Sequence, residues 1–491
     1  MMHNAIIINQ QDNVATALKE IKIGEKVFDT TAADTIPPGH KIALQKIQQG
    51  ENIIKYGSPI GSAKTEISPG CHIHTHNIKT NLGGIENYSY KPEKQKVSTQ
   101  NPETFMGYKR PSGKVGIRNE IWIVNTVGCV NKIAEKIASK ANIQHQGKVD
   151  GVYTFVHPYG CSQLGDDHTF TQQILAGMVN HPNAAGVLVL GLGCENNLIS
   201  DFKKVLNTWD DRRVKFLNAQ DVQDDEGEGL KIINQLVNYA SEFKRTEIPV
   251  SELVLGLKCG GSDGFSGITA NPLVGSLSDH IIAQGGTCIL TEVPEMFGAE
   301  TLLMNRSKNQ EIFNKTVTLI NNFKEYFIRH GQEIYENPSP GNKEGGISTL
   351  EEKSLGCTQK GGRSHVSDVL NYGETVKTPG LNLLQGPGND IVAVTNLMAA
   401  GAHIILFTTG RGTPLGSPVP TVKISSNTTL FEAKPHWIDF DAGQLLEGVT
   451  MEDLTRQFSQ FLLDIASGKK TALNESNDYR EISIFRDGVT L

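Results

Sequence analysis

No disulfide framework can be drawn from this sequence. Its seven cysteines are few for 491 residues and odd in number. Met1 to Gln10 lacks the basic region and small-residue cleavage site of a signal peptide, so thiols in a reducing, cytoplasmic compartment are expected. No stretch approaches the ~18 consecutive apolar residues of a membrane span. Long runs of Lys and Arg are missing too, and the net charge of −7 argues against a nucleic-acid partner. Several signatures of chemistry are also absent. No Gly-x-Gly-x-x-Gly follows a strand, and no Gly-Lys-Ser/Thr closes a phosphate loop. A nicotinamide oxidoreductase and a nucleotide hydrolase are therefore not expected. What remains is a soluble enzyme-like composition, 38% hydrophobic and 20% charged, with 50 glycines gathered into short motifs. The length exceeds a single core and predicts about two to four domains. It leaves oligomeric state open, a homo-oligomer included.

Among the motifs, Cys71-His-Ile-His-Thr-His-Asn77 stands apart. On a strand, His72, His74 and His76 share one face, with neighbours roughly 6.5–7 Å apart at Cα. Two such imidazoles can bend onto one metal ion, whereas the third reaches it only if the strand curls or ends. A merely polar strand face is the alternative.

Residues 1–83 read as a small β-rich domain of short strands and tight turns, with Asp12 to Lys19 as a helical turn capped by Asp12. Residues 84–106 are polar and Pro-containing and read as a linker with almost nothing to bury. From 107 to 245 buried strands alternate with helices, as in Ile121 to Val127, Gly151 to Val156, Gly186 to Leu190 and Val214 to Leu217. After a polar break at 244–249, a second unit of the same kind runs over 246–491, with longer loops at 335–350 and 356–363 as candidate lids. The fold class is α/β: a small β domain, a linker, then two Rossmann-like parallel-sheet units.

Strands in both units end on a cysteine: Gly128-Cys129, Gly160-Cys161, Gly193-Cys194 and Lys258-Cys259, with Gly356-Cys357 after a loop. Ligand crevices in open α/β sheets lie beyond the carboxyl ends of the strands. Cys129, Cys161 and Cys194 should therefore gather on one edge, either as iron or iron–sulfur ligands or as small residues that fit tight turns. Acid–base candidates accompany these turns: Asp167 and His168 after Cys161, Asp263 within the glycine loop Cys259-Gly-Gly-Ser-Asp-Gly264, and Glu292. Gly260, Gly261 and Ser262 offer backbone N–H groups to a carboxylate, and Arg411, beside Gly412, can clamp one bidentately. Lys423 and Arg118 are weaker basic candidates.

The ordered motifs Tyr56-Gly-Ser-Pro-Ile-Gly61, His72 to Asn77, Tyr159-Gly-Cys-Ser-Gln-Leu-Gly-Asp-Asp-His168, Gly191-Leu-Gly-Cys-Glu-Asn196, Cys259 to Gly264, Thr291-Glu-Val-Pro-Glu295, Glu336-Asn-Pro-Ser-Pro-Gly-Asn342 and Thr409-Gly-Arg-Gly-Thr-Pro414 span the chain. In that order they resemble the altronate/galactarate dehydratase family. The resemblance implies an N-terminal β-clip domain of the SAF kind. It also implies dehydration of D-altronate to 2-dehydro-3-deoxy-D-gluconate in hexuronate breakdown, with galactarate or sulfolactate as the alternative substrates. Ferrous iron, or manganese in its place, is the implied cofactor. The β domain's histidines then bring metal ligands to a crevice formed with the glycine–cysteine turns.

Overall fold

The computed structural model describes residues 4–93 and 102–491. Residues 94–101, inside the expected linker, lie outside the described residues. The N-terminal domain is built on two small antiparallel sheets, beside a two-stranded ribbon of Lys26–Val27 and Thr30–Thr31. One runs Ala5–Ile6, Val14–Ala17, Lys41–Ala43, His72–Ile73, and the other Asn52–Lys55, Ser58–Ala63, Ile78–Lys79. The helical turn expected from Asp12 to Lys19 is a strand instead. Val14–Ala17 is buried at every position and paired on both sides, so ladder bonds override the capping signal. Asp12 holds a turn, accepting from the backbone N–H groups of Asn9 (3.0 Å) and Gly57 (2.8 Å). The domain's core of Val14, Ile47, Ile53, Ile60 and Ile73 is completed by Ala299 and Leu355 of the last unit.

The segment after it is not free of buried surface. Leu82, Tyr88 and Tyr90 pack on the core of the last unit, and the Tyr88 hydroxyl donates to Glu300 Oε1 at 2.6 Å. A tyrosine can bury its ring while its hydroxyl finds a partner, which a count of polar residues overlooks. The two polar breaks also meet: Thr104–Lys109 pairs antiparallel with Thr246–Pro249, with Val115–Gly116 on its other edge.

The first α/β unit is a four-stranded parallel sheet, β1 (Glu120–Asn125), β2 (Val152–Thr154), β3 (Ala184–Gly191) and β4 (Val214–Asn218), in the order β2-β1-β3-β4. Helices α1 (Asn131–Gln144), α2 (Gly165–Val179), α3 (Ile199–Leu206) and α4 (Asp225–Ala240) connect the strands and close the unit. The strands β1 and β3 are buried throughout, as a sheet covered on both faces requires.

The second unit holds a seven-stranded parallel sheet. Its strands are β5 (Val254–Cys259), β6 (Thr287–Leu290), β7 (Val366–Leu370), β8 (Gly380–Leu384), β9 (Ile404–Thr409), β10 (Thr421–Ser425) and β11 (Phe440–Asp441), ordered β7-β8-β6-β5-β9-β10-β11. Its helices include α5 (Ala270–Ala283), α6 (Gln310–Arg329), α7 (Leu350–Cys357), α8 (Asp390–Ala399) and α9 (Met451–Ala466). One hydrophobic cluster spans both units, joining Trp122, Phe155 and Leu175 to Leu397, Ile405 and Phe407. There α2 and α8 approach so closely that a Cβ on Gly177 would lie 2.5 Å from the Ala399 carbonyl oxygen.

In the second sheet, β5 has its sequence successor β6 on one side and β9 on the other. The chain thus reverses direction across the sheet at β5, and the crevice beyond β5 and β9 is where such folds bind ligands.

Candidate active site between the N-terminal domain and the second sheet

Two loops leave the sheet at that crevice. The 260–264 loop follows β5, and the 410–412 turn follows β9. They are joined by bonds from the N–H groups of Gly410 and Arg411 to the Gly261 carbonyl, both 3.0 Å. Gly261 and Gly412 have φ of +65° and +85°, a region in which only glycine sits without strain. Gly260 leaves room for Asp390, whose Oδ2 would lie 2.7 Å from a Cβ there. The Ser262 hydroxyl is buried and has no hydrogen-bond partner among the described residues. Arg411, half-exposed, pairs with Glu344 Oε2 at 2.9 Å and donates to the Gly341 carbonyl at 3.3 Å.

The N-terminal domain closes the crevice. Gly39 fits against the loop with no space to spare: a Cβ on Gly264 would lie 2.0 Å from the Gly39 carbonyl oxygen. Next to it, His40 Nε2 bonds the Glu344 carbonyl at 3.1 Å. A carbonyl can only accept, so Nε2 carries the proton and Nδ1 keeps a lone pair. That Nδ1 faces His72 Nε2 at 3.0 Å. The His74 ring centroid lies 4.9 Å from that of His40 and 5.8 Å from that of His72, and its Nδ1 meets Ser348 Oγ at 2.9 Å. Burial pushes His72 down to about 4 and His74 to about 3, so both are neutral at pH 7.

The strand expected to carry three histidines in line ends after His72–Ile73. Asn77 turns the chain, its Oδ1 accepting from the His74 N–H and its Nδ2 donating to the His72 carbonyl. His76 stays at the rim, 5.5 Å from the His72 ring. The third close imidazole is His40, which spacing in the sequence does not link to the others. Its signal is the pairing of the following strand with theirs, Ile42 opposite His72.

A buried ionic cluster docks the domain. Lys41 Nζ reaches Glu352 Oε2 at 2.8 Å, and Lys55 Nζ reaches Oε1 at 2.9 Å. Burial alone would raise the Glu352 carboxyl; the two ammonium groups instead hold it at about 2, while burial brings Lys41 down to about 8. Lys41 also donates to Ser348 Oγ and the Gly346 carbonyl.

The acid–base candidates do not come together. Both oxygens of Asp167 are taken by the N–H groups of Asp487 and Gly488, so it fastens the C-terminal segment. Neither it nor its neighbour His168 shares a hydrogen bond or ion pair with the 258–264 segment among the described residues. Asp263 accepts from Ser266, Ser426 and Asn427 and shapes its own loop. Glu292, with φ of +69°, is buried against Lys258, and burial raises its carboxyl. Lys258 links it to Asp390 Oδ1 at 2.9 Å, and Asp390 is 40% exposed, so the cluster reaches the crevice there.

The cysteines separate into two kinds. Cys129, Cys161 and Cys194 are exposed at the carboxyl edge of the first sheet. Cys129 and Cys161 line an open cleft of about 590 Å³ with His157 and Tyr159, whereas Cys194 lies outside that lining and accepts from Gln220 Nε2 at 3.5 Å. Cys259 and Cys357 are buried, 3.3 Å apart at Sγ, and each lies 3.1 Å from Glu295 Oε2. The hydrogen bond from Cys357 lowers Cys259 to about 6. Arg118 and Lys423, the weaker basic candidates, face inward: Arg118 pairs with Glu475 at 2.7 Å, and the Lys423 ammonium is buried without a hydrogen-bond partner among the described residues. Of the two expected lids, 335–350 touches the crevice through Gly341 and Glu344. By contrast, 356–363 is the packed end of α7 and the 3-10 turn after it.

Three family models match the chain in succession. They are the SAF domain of altronate/galactarate dehydratases over 3–81, the second domain of D-galactarate dehydratase/altronate hydrolase over 107–241, and the C-terminal domain of D-galactarate/altronate dehydratase over 250–490. The chain belongs to the altronate/galactarate dehydratase family. Membership makes it a dehydratase, a carbon–oxygen lyase. Similar relatives include altronate dehydratases of Bacillus subtilis, 55% identical over 100% of both chains, and of Escherichia coli, 52% identical over 99% of both. The galactarate dehydratase (L-threo-forming) of Escherichia coli is 33% identical over 96% of this chain and 94% of its own. No helix among the described residues is long and apolar enough to cross a membrane.

Proposed function

We propose that the chain dehydrates D-altronate to 2-dehydro-3-deoxy-D-gluconate in the crevice where His40 and His72 meet the 260–264 loop. The observation that carries this is the meeting itself: neutral imidazoles and an arginine converge on the Glu344 segment at the point where the sheet order reverses. The choice of altronate over galactarate rests on identities of 55% and 52% against 33%.

Ferrous iron fits the histidines. His40 donates one ring N–H to a carbonyl and presents the other nitrogen 3.0 Å from that of His72, the arrangement by which a backbone acceptor orients a metal-bound imidazole. His74, whose Nδ1 meets Ser348 Oγ at 2.9 Å, is the nearest further imidazole, and its ring would have to shift toward the other two to join the same ion. Bound there, the metal would supply Lewis acidity to stabilise negative charge on the substrate. Cys129, Cys161 and Cys194 do not join this set, and an iron–sulfur cluster on them is no part of the proposed reaction.

The protein's own groups position the substrate and move its protons. Arg411 pairs with the carboxylate, exchanging Glu344 for it, and Ser262 donates its unused hydroxyl. The proton at C2 is weakly acidic and needs a carboxylate or amine within reach. Asp167 and Asp263 have their oxygens occupied and Glu292 is sealed below the loop, which leaves Asp390 as the proton acceptor. Lys258 stands behind it to disperse charge toward Glu292. Asp390, now protonated, returns that proton to the C3 hydroxyl as the C3–O bond breaks and the C2–C3 double bond forms; water leaves and the enol product tautomerises to the ketone.

The test is anaerobic turnover with ferrous iron on D-altronate and galactarate, following the 2-keto product by mass. Product from altronate at a higher kcat/KM than from galactarate is expected; the reverse order would overturn the substrate. Asp390→Asn should lower kcat by about 10²–10⁴-fold with metal content unchanged, and near-normal kcat would remove Asp390 from the reaction.

A further inference from the structure

Cys259, Glu295 and Cys357 come from three separate segments: the last residue of β5, the turn after β6 and the last residue of α7. Their ligand atoms form a small triangle, 3.3 Å between the two Sγ atoms and 3.1 Å from each to Glu295 Oε2. We propose that this triangle is a second metal site, separate from the histidines, that holds a thiophilic divalent transition-metal ion.

The dimensions carry the first part of the argument. Bonds of about 2.3 Å to sulfur and about 2.1 Å to oxygen, set at right angles, give an S–S edge of about 3.3 Å and S–O edges of about 3.1 Å. The observed triangle has those edges. It is one face of an octahedron, and its ligands are two soft donors and one carboxylate. Among the described residues it is also the group of three such side chains whose ligand atoms all lie within 4.8 Å of one another.

Charge gives the second part. The acidic groups gathered here are Glu292, Glu295, Asp390 and the two thiols, and the ammonium groups are those of Lys258, Lys353 and Lys360. With three positive groups against five acids, electrical balance requires two protons to remain on the acids. A divalent ion displaces two protons and leaves the balance unchanged, so the lysines do not oppose it. Removing that much charge from water is costly unless it cancels locally.

The surroundings give the third part. Glu295 uses its other oxygen, Oε1, to accept from Lys353 at 2.8 Å, the outer contact by which a ligating carboxylate is oriented. Lys360 Nζ, fully buried beside Glu292, has no hydrogen-bond partner among the described residues. An unsatisfied ammonium at full burial points to negative charge held close by, which two thiolates supply. Such an ion would tie α7 to the end of β5, directly under the 260–264 loop.

The experiment uses the full-length protein, its exposed thiols alkylated under native conditions, loaded anaerobically with cobalt. Metal per chain and the near-ultraviolet thiolate-to-cobalt charge-transfer band are measured together. About two ions per chain and a thiolate band are expected. Cys357→Ser should abolish the band and leave about one ion. His40→Ala should remove the other ion and keep the band. Absence of the band in the unsubstituted protein, its persistence in Cys357→Ser, or a Cys259–Cys357 disulfide found by mass would each overturn the proposal. Glu295→Gln, which keeps both thiols, should shift the band, so the question survives if a cysteine variant fails to fold. Loss of activity in His40→Ala with the thiolate band intact separates this site from the dehydration centre.

Discussion

Ser348 sits between two jobs. Its hydroxyl oxygen receives the ammonium of Lys41 at 2.9 Å and meets His74 Nδ1 at 2.9 Å. The first contact belongs to the docking of the N-terminal domain; the second sets which nitrogen of His74 faces the crevice. Ser348→Ala removes the second while Lys41 keeps Glu352 and the Gly346 carbonyl. Iron affinity should fall by about 10–100-fold, the range for losing an outer partner of a metal-bound imidazole, with the melting temperature little changed. Competition against a chromogenic chelator measures it, and unchanged affinity would mean that His74 does not serve the ion. Residue-scale chemistry was only half legible in the sequence. The alternate histidines announce a site, but strand geometry placed them in a line that the Asn77 turn breaks. His40 is invisible in linear spacing because it arrives through pairing of strands far apart in sequence. Asp263 and Asp167 look like acids for catalysis until the donors around them are counted.

At the scale of elements, α7 is the piece on which the domains converge. Thr349 caps its start, accepting from the Glu352 N–H, and Glu352 in the first turn suits the positive end of the helix. The same carboxylate receives two buried lysines of the N-terminal domain, and Leu355 enters that domain's core. At its far end stands Cys357. The sequence at 356–363 suggests an open loop because of its glycines. In the structure Gly356 is there for close packing instead, with its Cβ position 3.3 Å from Gly267. Replacing Glu352 with Gln leaves two ammonium groups buried without their counter-charge. The cost expected is about 3–5 kcal/mol, that of breaking a buried ion pair from one side. Because the cores are shared, urea should show the N-terminal domain loosening together with loss of iron at the crevice. A loss under about 1 kcal/mol, the scale of an exposed pair, would show that water reaches the lysines.

At the scale of the whole molecule, alternation of strand and helix made the two parallel sheets legible, and with them the edge where sites belong. Strands β7, β8 and β10 were not legible. Val366–Leu370 is half-exposed at the sheet margin, and Asn382 interrupts β8 yet is buried, its amide donating to the carbonyls of Thr378 and Gly380. How the two units face each other could not be read at all, since it rests on contacts such as those of His181 and His403. His181 Nε2 of the first unit donates to the Ala402 carbonyl of the second at 3.1 Å, and the two rings lie edge to face at 6.1 Å. Burial lowers both, His403 to about 4 and His181 well below its usual value. Between pH 6.5 and about 4 the unfolded chain therefore binds protons at these positions that the folded chain does not. Stability rises with pH wherever the unfolded state binds more protons. This contribution is complete above pH 6.5 and is lost as the pH falls through that window. Thermal unfolding at a series of pH values should show the decline, and His403→Gln, which cannot take up a proton there, should have a lower melting temperature at pH 7 but a shallower slope below 6.5. An equal slope in the variant would place the acid sensitivity elsewhere than at the contact between the two units.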